Sequence, residues 1–217
     1  MKPVDIKFTY DFICPWCWIC HSHLKTALTQ QPWDVALAIQ YVPYELDPDM
    51  PKEGVNRKTY RSAKLGSWGR SQAMDSDVTL AGKRAGLEFN YDRVLAIPNT
   101  GMAHRLMHFA AGKGEAQKTE TFFEAVFQAY FSKGKNIGDT EVLVELASQI
   151  GFCSQEVRSY LSNQTGEREV VAAGLQAQAN SERSIPTVRI GETLVSGAQP
   201  AAVFAQALQQ ATASLTS

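Results

Sequence analysis

The sequence has no long apolar run. Nothing in it approaches the roughly 20 residues of a membrane span, and the opening Met1-Lys2-Pro3-Val4-Asp5-Ile6-Lys7 sets Asp5 and Lys7 where a secretory signal needs an apolar core. The expectation is a protein without signal peptide or membrane segment, placed in the cytoplasm. An excess of one charge is missing too. Lys and Arg number 21 against 22 Asp and Glu, for a formal net charge of −1, which excludes the basic footprint of a nucleic-acid binder. Cysteine is scarce and unevenly spread: of four, Cys14, Cys17 and Cys20 fall within seven residues and Cys153 stands far away. A secreted disulfide framework distributes its cysteines along a short chain, so that class is excluded. In a reducing compartment such a cluster points to redox chemistry or to a metal. Internal repeats and low-complexity tracts are absent.

What is present suits a folded protein. The 217 residues are 44% hydrophobic and 20% charged, enough for one sizeable domain, or a domain with a large insertion, that buries its core without disulfide staples. Val4 to Tyr10 alternates, with Ile6, Phe8 and Tyr10 on one face, and predicts a strand. A helix is expected from Cys14-Pro15 to about Thr29, because Pro15 suits the first helical position and Gln31-Pro32 stops the run. Val35 to Tyr41 alternates again, completing a βαβ unit with a parallel pairing. Pro43 to Asn56 reads as a loop. Helical periodicity follows near 68–85, 101–112, 117–132, 139–150 and 154–162, with Asp139 as an N-cap and Gly151 as a stop. A further helix over Glu167–Asn180 precedes a hairpin, in which Val188 and Ile190 pair with Leu194 and Val195 across Gly191-Glu192. Pro200 opens a last helix through Ala211. Arg57, Lys58, Arg61, Lys64 and Arg70 form a basic stretch without acids, read as a solvated face or as an attractor of glutathione and acidic partners.

Cys14-Pro15-Trp16-Cys17 carries the chemistry. A thiolate at a helix start faces unpaired backbone N–H groups and the positive end of the helix dipole, which stabilise the anion and make it a nucleophile. Cys14, at the N-cap, is therefore the attacking thiol. Cys17, one turn on, is placed to resolve a mixed disulfide. The spacing through Cys20, followed by His21 and His23, also admits a metal. Zinc takes four ligands, usually in two pairs, while a helix turning about 100° per residue carries Cys20 away from Cys14. The Cys-Pro that closes iron–sulfur runs is absent. No metal ligand is assigned: Cys20 is expected to pack as a small apolar side chain, Cys153 to have no role, and His21 and His23 to be solvated. Trp16 is either a surface aromatic that meets a partner or a side chain tucked against the loop. Asp11 could tune Cys14 or form an Asx-type turn before the helix.

Asp11-Phe12-Ile13-Cys14-Pro15-Trp16-Cys17 resembles the start of DsbA-like thioredoxin domains, in particular their FrnE-like branch. Glu45 to Pro51, Asn99-Thr100 with Ala103-His104-Arg105-Leu106, Tyr130-Phe131 with Gly134, Ile137-Gly138-Asp139 with Val142-Leu143, and Ser196-Gly197-Ala198-Gln199-Pro200 are similar to that branch in the same order. The resemblance implies an α/β thioredoxin fold with a large all-helical insertion: residues 1–54 as the βαβ half, 55–165 as the insertion and 166–217 as the αββα half. It implies a cis Ile185–Pro186 bond whose preceding backbone lies beside Cys14 and pairs with an extended substrate, and it adds Asn99 and His104, with Trp16, to the candidate substrate-binding residues. The implied function is a thiol–disulfide oxidoreductase or isomerase acting on disulfides of proteins or small molecules. It needs no cofactor, with glutathione as a possible co-substrate. The related 2-hydroxychromene-2-carboxylate isomerases and kappa-class glutathione transferases carry Ser where Cys14 stands, so a glutathione-dependent isomerase or transferase is the alternative. Glu182-Arg183-Ser184 also departs from the small Gly-containing turn of relatives.

Overall fold

The computed structural model describes residues 4–30, 33, 36–179 and 184–216. The expected start of the second strand at Val35, the helix stop at Gln31-Pro32, the helix end at Asn180 and the departure at Glu182-Arg183 lie outside the described residues. The chain forms two compact units, one of residues up to Tyr44 and from Ala173 onward, the other of Glu45–Ala172.

The first unit is built on β1 (Val4–Tyr10), α1 (Pro15–Thr29) and β2 (Leu37–Pro43) at one end of the chain, and on β5 (Thr187–Ile190), β6 (Thr193–Ser196) and α9 (Ala201–Thr216) at the other. Its sheet runs β2-β1-β5-β6. β1 pairs parallel with β2 and antiparallel with β5, and β5 pairs antiparallel with β6. The alternation of β1 does what period-2 patterning requires: Val4, Ile6, Phe8 and Tyr10 are buried while Asp5 and Lys7 are exposed. β2 ends at Pro43, two residues beyond the expected Tyr41, where its register pairs Pro43 with Tyr10. α1 lays Cys17, Ile19, Cys20, Leu24 and Ala27 into the core and packs against α9.

The second unit holds β3 (Val55–Asn56), α2 (Arg57–Leu65), α3 (Trp68–Arg84), β4 (Ala96–Ile97), α4 (Gly101–Gly112), α5 (Ala116–Phe131), α6 (Thr140–Gln149) and α7 (Ser154–Leu161), and α8 (Glu167–Ala179) crosses the boundary between the units. Its core is aromatic: Phe122, Phe123, Phe127 and Phe131 line the buried side of α5, with ring pairs at ordinary contact distances. Asp139 caps α6 as expected, its carboxylate accepting from Glu141 N and Val142 N.

Two expectations about solvated residues are corrected here. The basic stretch divides between two helices: Arg57, Lys58, Arg61 and Lys64 lie on α2, started by the Asn56 side chain on Thr59 N and stopped by Gly66 in a left-handed conformation, and Arg70 lies on α3. It does not lie wholly in solvent, because its first residue pairs with an acid of the next helix. Arg57 is 3% exposed and donates twice to Asp75 of α3, at 2.7 and 2.8 Å. Its guanidinium also lies over the Trp68 and Tyr91 rings. His21 is buried as well. Its Nε2 lies 3.1 Å from the Tyr41 hydroxyl, and its ring sits against Phe8.

Candidate active site

The candidate site forms where β1 ends. After Tyr10 the chain turns, and the Cys14 N–H donates to the Asp11 carbonyl at 3.0 Å. The Asp11 main chain thus closes this turn on Cys14, while its side chain is buried. Cys14 is the N-cap of α1 in extended conformation with Pro15 following, so its sulfur stands at the helix end whose first N–H groups have no intrahelical acceptor. Cys17 is one turn further, fully buried, with its N–H bonded to the Cys14 carbonyl at 3.1 Å. All four cysteines are free thiols.

The two thiols differ in surroundings. Cys14 is 6% exposed and Cys17 is not exposed at all. Burial pushes the Cys17 thiol well up, and its hydrogen bond with Cys14 and the Cys14 charge push the same way, against the Asp11 backbone. Cys17 therefore keeps its proton until it is needed, which suits a resolving thiol better than an attacking one. Tyr10, fully buried below, is also pushed well up, first by burial and then by Tyr41, Asp11 and Cys17. Trp16 is 40% exposed on the first turn of α1.

The Ile185–Pro186 bond is cis. Its place follows from the sheet. β5 runs antiparallel to β1 with Thr187 opposite Thr9, so the two residues before β5 leave the sheet at the end where the chain turns toward Cys14. The Ile185 backbone N–H and C=O have no hydrogen-bond partner among the described residues. The sheet topology thus brings Cys14, Cys17, Trp16, Ile185 and Pro186 to one end of the first unit.

Asn99 and His104 belong to the second unit. Asn99 holds its own unit together: its Nδ2 donates to the Met50 carbonyl at 2.7 Å and its Oδ1 accepts from Gly101 N at the start of α4. His104 is 1% exposed on α4. Among the described residues, no group of three or more His, Cys, Asp or Glu side chains is arranged to hold a metal ion, and no helix is long and apolar enough to cross a membrane. Cys20 is buried in α1, with its Sγ donating to the Gly197 carbonyl at 3.7 Å. That contact, and the buried His21, were not legible from spacing. The apolar face of α1 was the available signal, since Cys17, Cys20, His21 and Leu24 follow one another at helical intervals.

Comparison with known proteins agrees with this architecture. A model of the DSBA-like thioredoxin domain matches residues 5–209. A probable DsbA oxidoreductase from Streptomyces coelicolor is 30% identical, with a TM-score of 0.86 over 96% of this chain and 89% of that one. The chain belongs to the DsbA-like thioredoxin-domain family, whose members are thiol–disulfide oxidoreductases and isomerases. An uncharacterized Bacillus subtilis protein, YwbO, is 27% identical over 94% of this chain and 96% of its own length. The cytosolic disulfide reductase DsbM of Pseudomonas aeruginosa, whose structure contains glutathione, shares the fold at 16% identity, with a TM-score of 0.65 over 98% and 97% of the two chains.

Proposed function

We propose that this protein is a cytoplasmic thiol–disulfide oxidoreductase in which Cys14 attacks and Cys17 resolves. The observation that carries the reading is the pair itself: one thiol at the open end of α1, the other one turn deeper, hydrogen-bonded to the first and held protonated by burial. The Cys14 thiolate attacks one sulfur of a substrate disulfide. The substrate S–S bond breaks, its other sulfur leaves as a thiol after taking up a proton, and a mixed disulfide forms on Cys14. Cys17 then loses its proton and attacks the Cys14 sulfur, releasing the second substrate thiol and leaving a Cys14–Cys17 disulfide. The substrate gains two electrons and the pair loses two. Two glutathione thiols would restore the dithiol and leave as glutathione disulfide, with no bound cofactor. Run in reverse, the same steps form a disulfide.

The unpaired Ile185 backbone offers one donor and one acceptor to an extended substrate chain, as strand addition requires, and Trp16 offers an exposed aromatic surface on the first turn of α1. Asn99, bonded within its own unit, and His104, 1% exposed, take no part in this reading. The test is insulin reduction with glutathione as donor, followed by mass spectrometry. Cys14→Ser abolishes turnover. Cys17→Ser accumulates mixed disulfides on Cys14, because attack proceeds and resolution does not. Activity that survives Cys14→Ser would instead mark a glutathione-dependent isomerase or transferase.

A further inference from the structure

Gly197, in the turn between β6 and α9, has backbone groups whose partners lie on two distant elements. Its N–H donates to the carbonyl of Pro186, the cis proline, at 2.8 Å. Its carbonyl accepts from the Cys20 thiol on α1 at 3.7 Å and, within the turn, from the Gln199 N–H at 2.9 Å. A single residue therefore joins the helix that carries the dithiol to the proline at the candidate substrate surface. The conformation demands glycine: its φ is +79°, while a Cβ would find space, with Gln199 Nε2 as its nearest neighbour at 3.8 Å. The same turn is fastened to α1 again one helical step later, where His23 Nδ1 meets the Gln199 carbonyl at 2.8 Å.

We propose that Cys20 is a positioning residue for the dithiol site: through the Gly197 peptide it fixes where the Ile185–Pro186 backbone stands relative to α1. The inference rests on the dithiol reading above. Cys20 sits one turn beyond Cys17 and is fully buried, so it reaches Gly197 from inside the unit without competing for substrate. Burial, and next the Cys14 charge, push its thiol up, so it stays protonated and remains a donor while Cys14 works as a thiolate. Cys20 exchanges no electrons in this scheme. It presents the Ile185 N–H and C=O at a fixed height above α1, and only a substrate that pairs with that backbone would register its loss.

The experiment uses the full chain, pre-reduced and freed of reductant, with Cys20→Ala and Cys20→Ser. The rate of oxidation is measured in stopped flow against an insulin-derived disulfide peptide and against 2-hydroxyethyl disulfide, which has no peptide backbone. Exchange of the Gly197 amide hydrogen is followed by NMR. Loss of a weak S–H donor predicts a rate lower by about two- to fivefold for the peptide with Cys20→Ala, a smaller loss with Cys20→Ser, and no change for 2-hydroxyethyl disulfide. Gly197 exchanges faster in Cys20→Ala while amides of β1 do not. An equal loss on both disulfides would show general damage and overturn the proposal. So would an unchanged peptide rate, or an unchanged Gly197 exchange. A wild-type protein oxidised by neither disulfide would overturn the dithiol reading instead, and Gly197 exchange would still decide whether Cys20 holds the turn.

Discussion

Replacing His21 with Phe isolates the consequence of burying an imidazole beneath the site. Burial, and next the charge of Lys25, lower the His21 pKa to about 3, against about 6.5 in an unfolded chain. Between those values the unfolded chain binds a proton that the folded protein refuses. Stability therefore rises with pH across this window, and the contribution present above about pH 6.5 is lost as pH falls toward 3. At about 1.4 kcal/mol per pH unit, and allowing for partial titration near pH 7, the loss between about pH 7 and pH 5 is on the order of 2 kcal/mol. Phe keeps a planar ring between Phe8 and Tyr41 and removes the titration. Tyr41 loses a hydrogen bond, but it is half-buried and can take water in exchange. Urea unfolding of the reduced protein at both pH values, wild type against variant, reads the difference directly. Wild type should lose about 2 kcal/mol more than His21→Phe on acidification. Parallel losses would refute the claim that the fold keeps His21 neutral.

Three further variants test the second unit. Arg57→Met leaves the Asp75 carboxylate buried with only Arg61 at 3.4 Å and should cost about 3–5 kcal/mol in denaturant unfolding. Adding Asp75→Leu should restore most of that loss, and a double variant as unstable as the single one would contradict the burial argument. Gly134→Ala combines a φ of +67° with a Cβ that would meet the Arg93 carbonyl oxygen at 2.2 Å, so thermal unfolding should show a loss of about 1–3 kcal/mol. An unchanged melting temperature there would mean that the approach of Arg93 to Gly134 is not tight.

Legibility in the sequence followed the strength of local signals. β1 reads directly because four alternating apolar residues face one way, and α1 reads directly because Pro15 opens it. The cysteine pair is legible for the same reason, since a helix start after a strand is a local pattern. α2 was hidden because Arg57 to Leu65 holds few apolar residues, Tyr60, Ala63 and Leu65, and its signals are the caps, Asn56 and Gly66, on either side. The Arg57–Asp75 pair could not be read, because the two charges come from different helices and only the fold brings them together. β3 and β4 are two residues each, too short for a period to show. His21, expected in solvent by its residue type, is buried because it lies on the side of α1 that Cys17, Cys20 and Leu24 share. The link from Cys20 through Gly197 to Pro186 spans 177 residues at its first step and is invisible to any local rule.

The central claim is that Cys14 and Cys17 form the redox couple and the other two cysteines do not. Equilibration of the protein in glutathione buffers of graded potential, acid quenching, alkylation and peptide mapping test it most directly. The expected result is one two-electron transition in which two of the four thiols become protected, with a single disulfide-linked peptide joining Cys14 to Cys17 and with Cys20 and Cys153 alkylated throughout after denaturation. A link from Cys17 to Cys20, or four thiols still free at oxidising potentials, would contradict it.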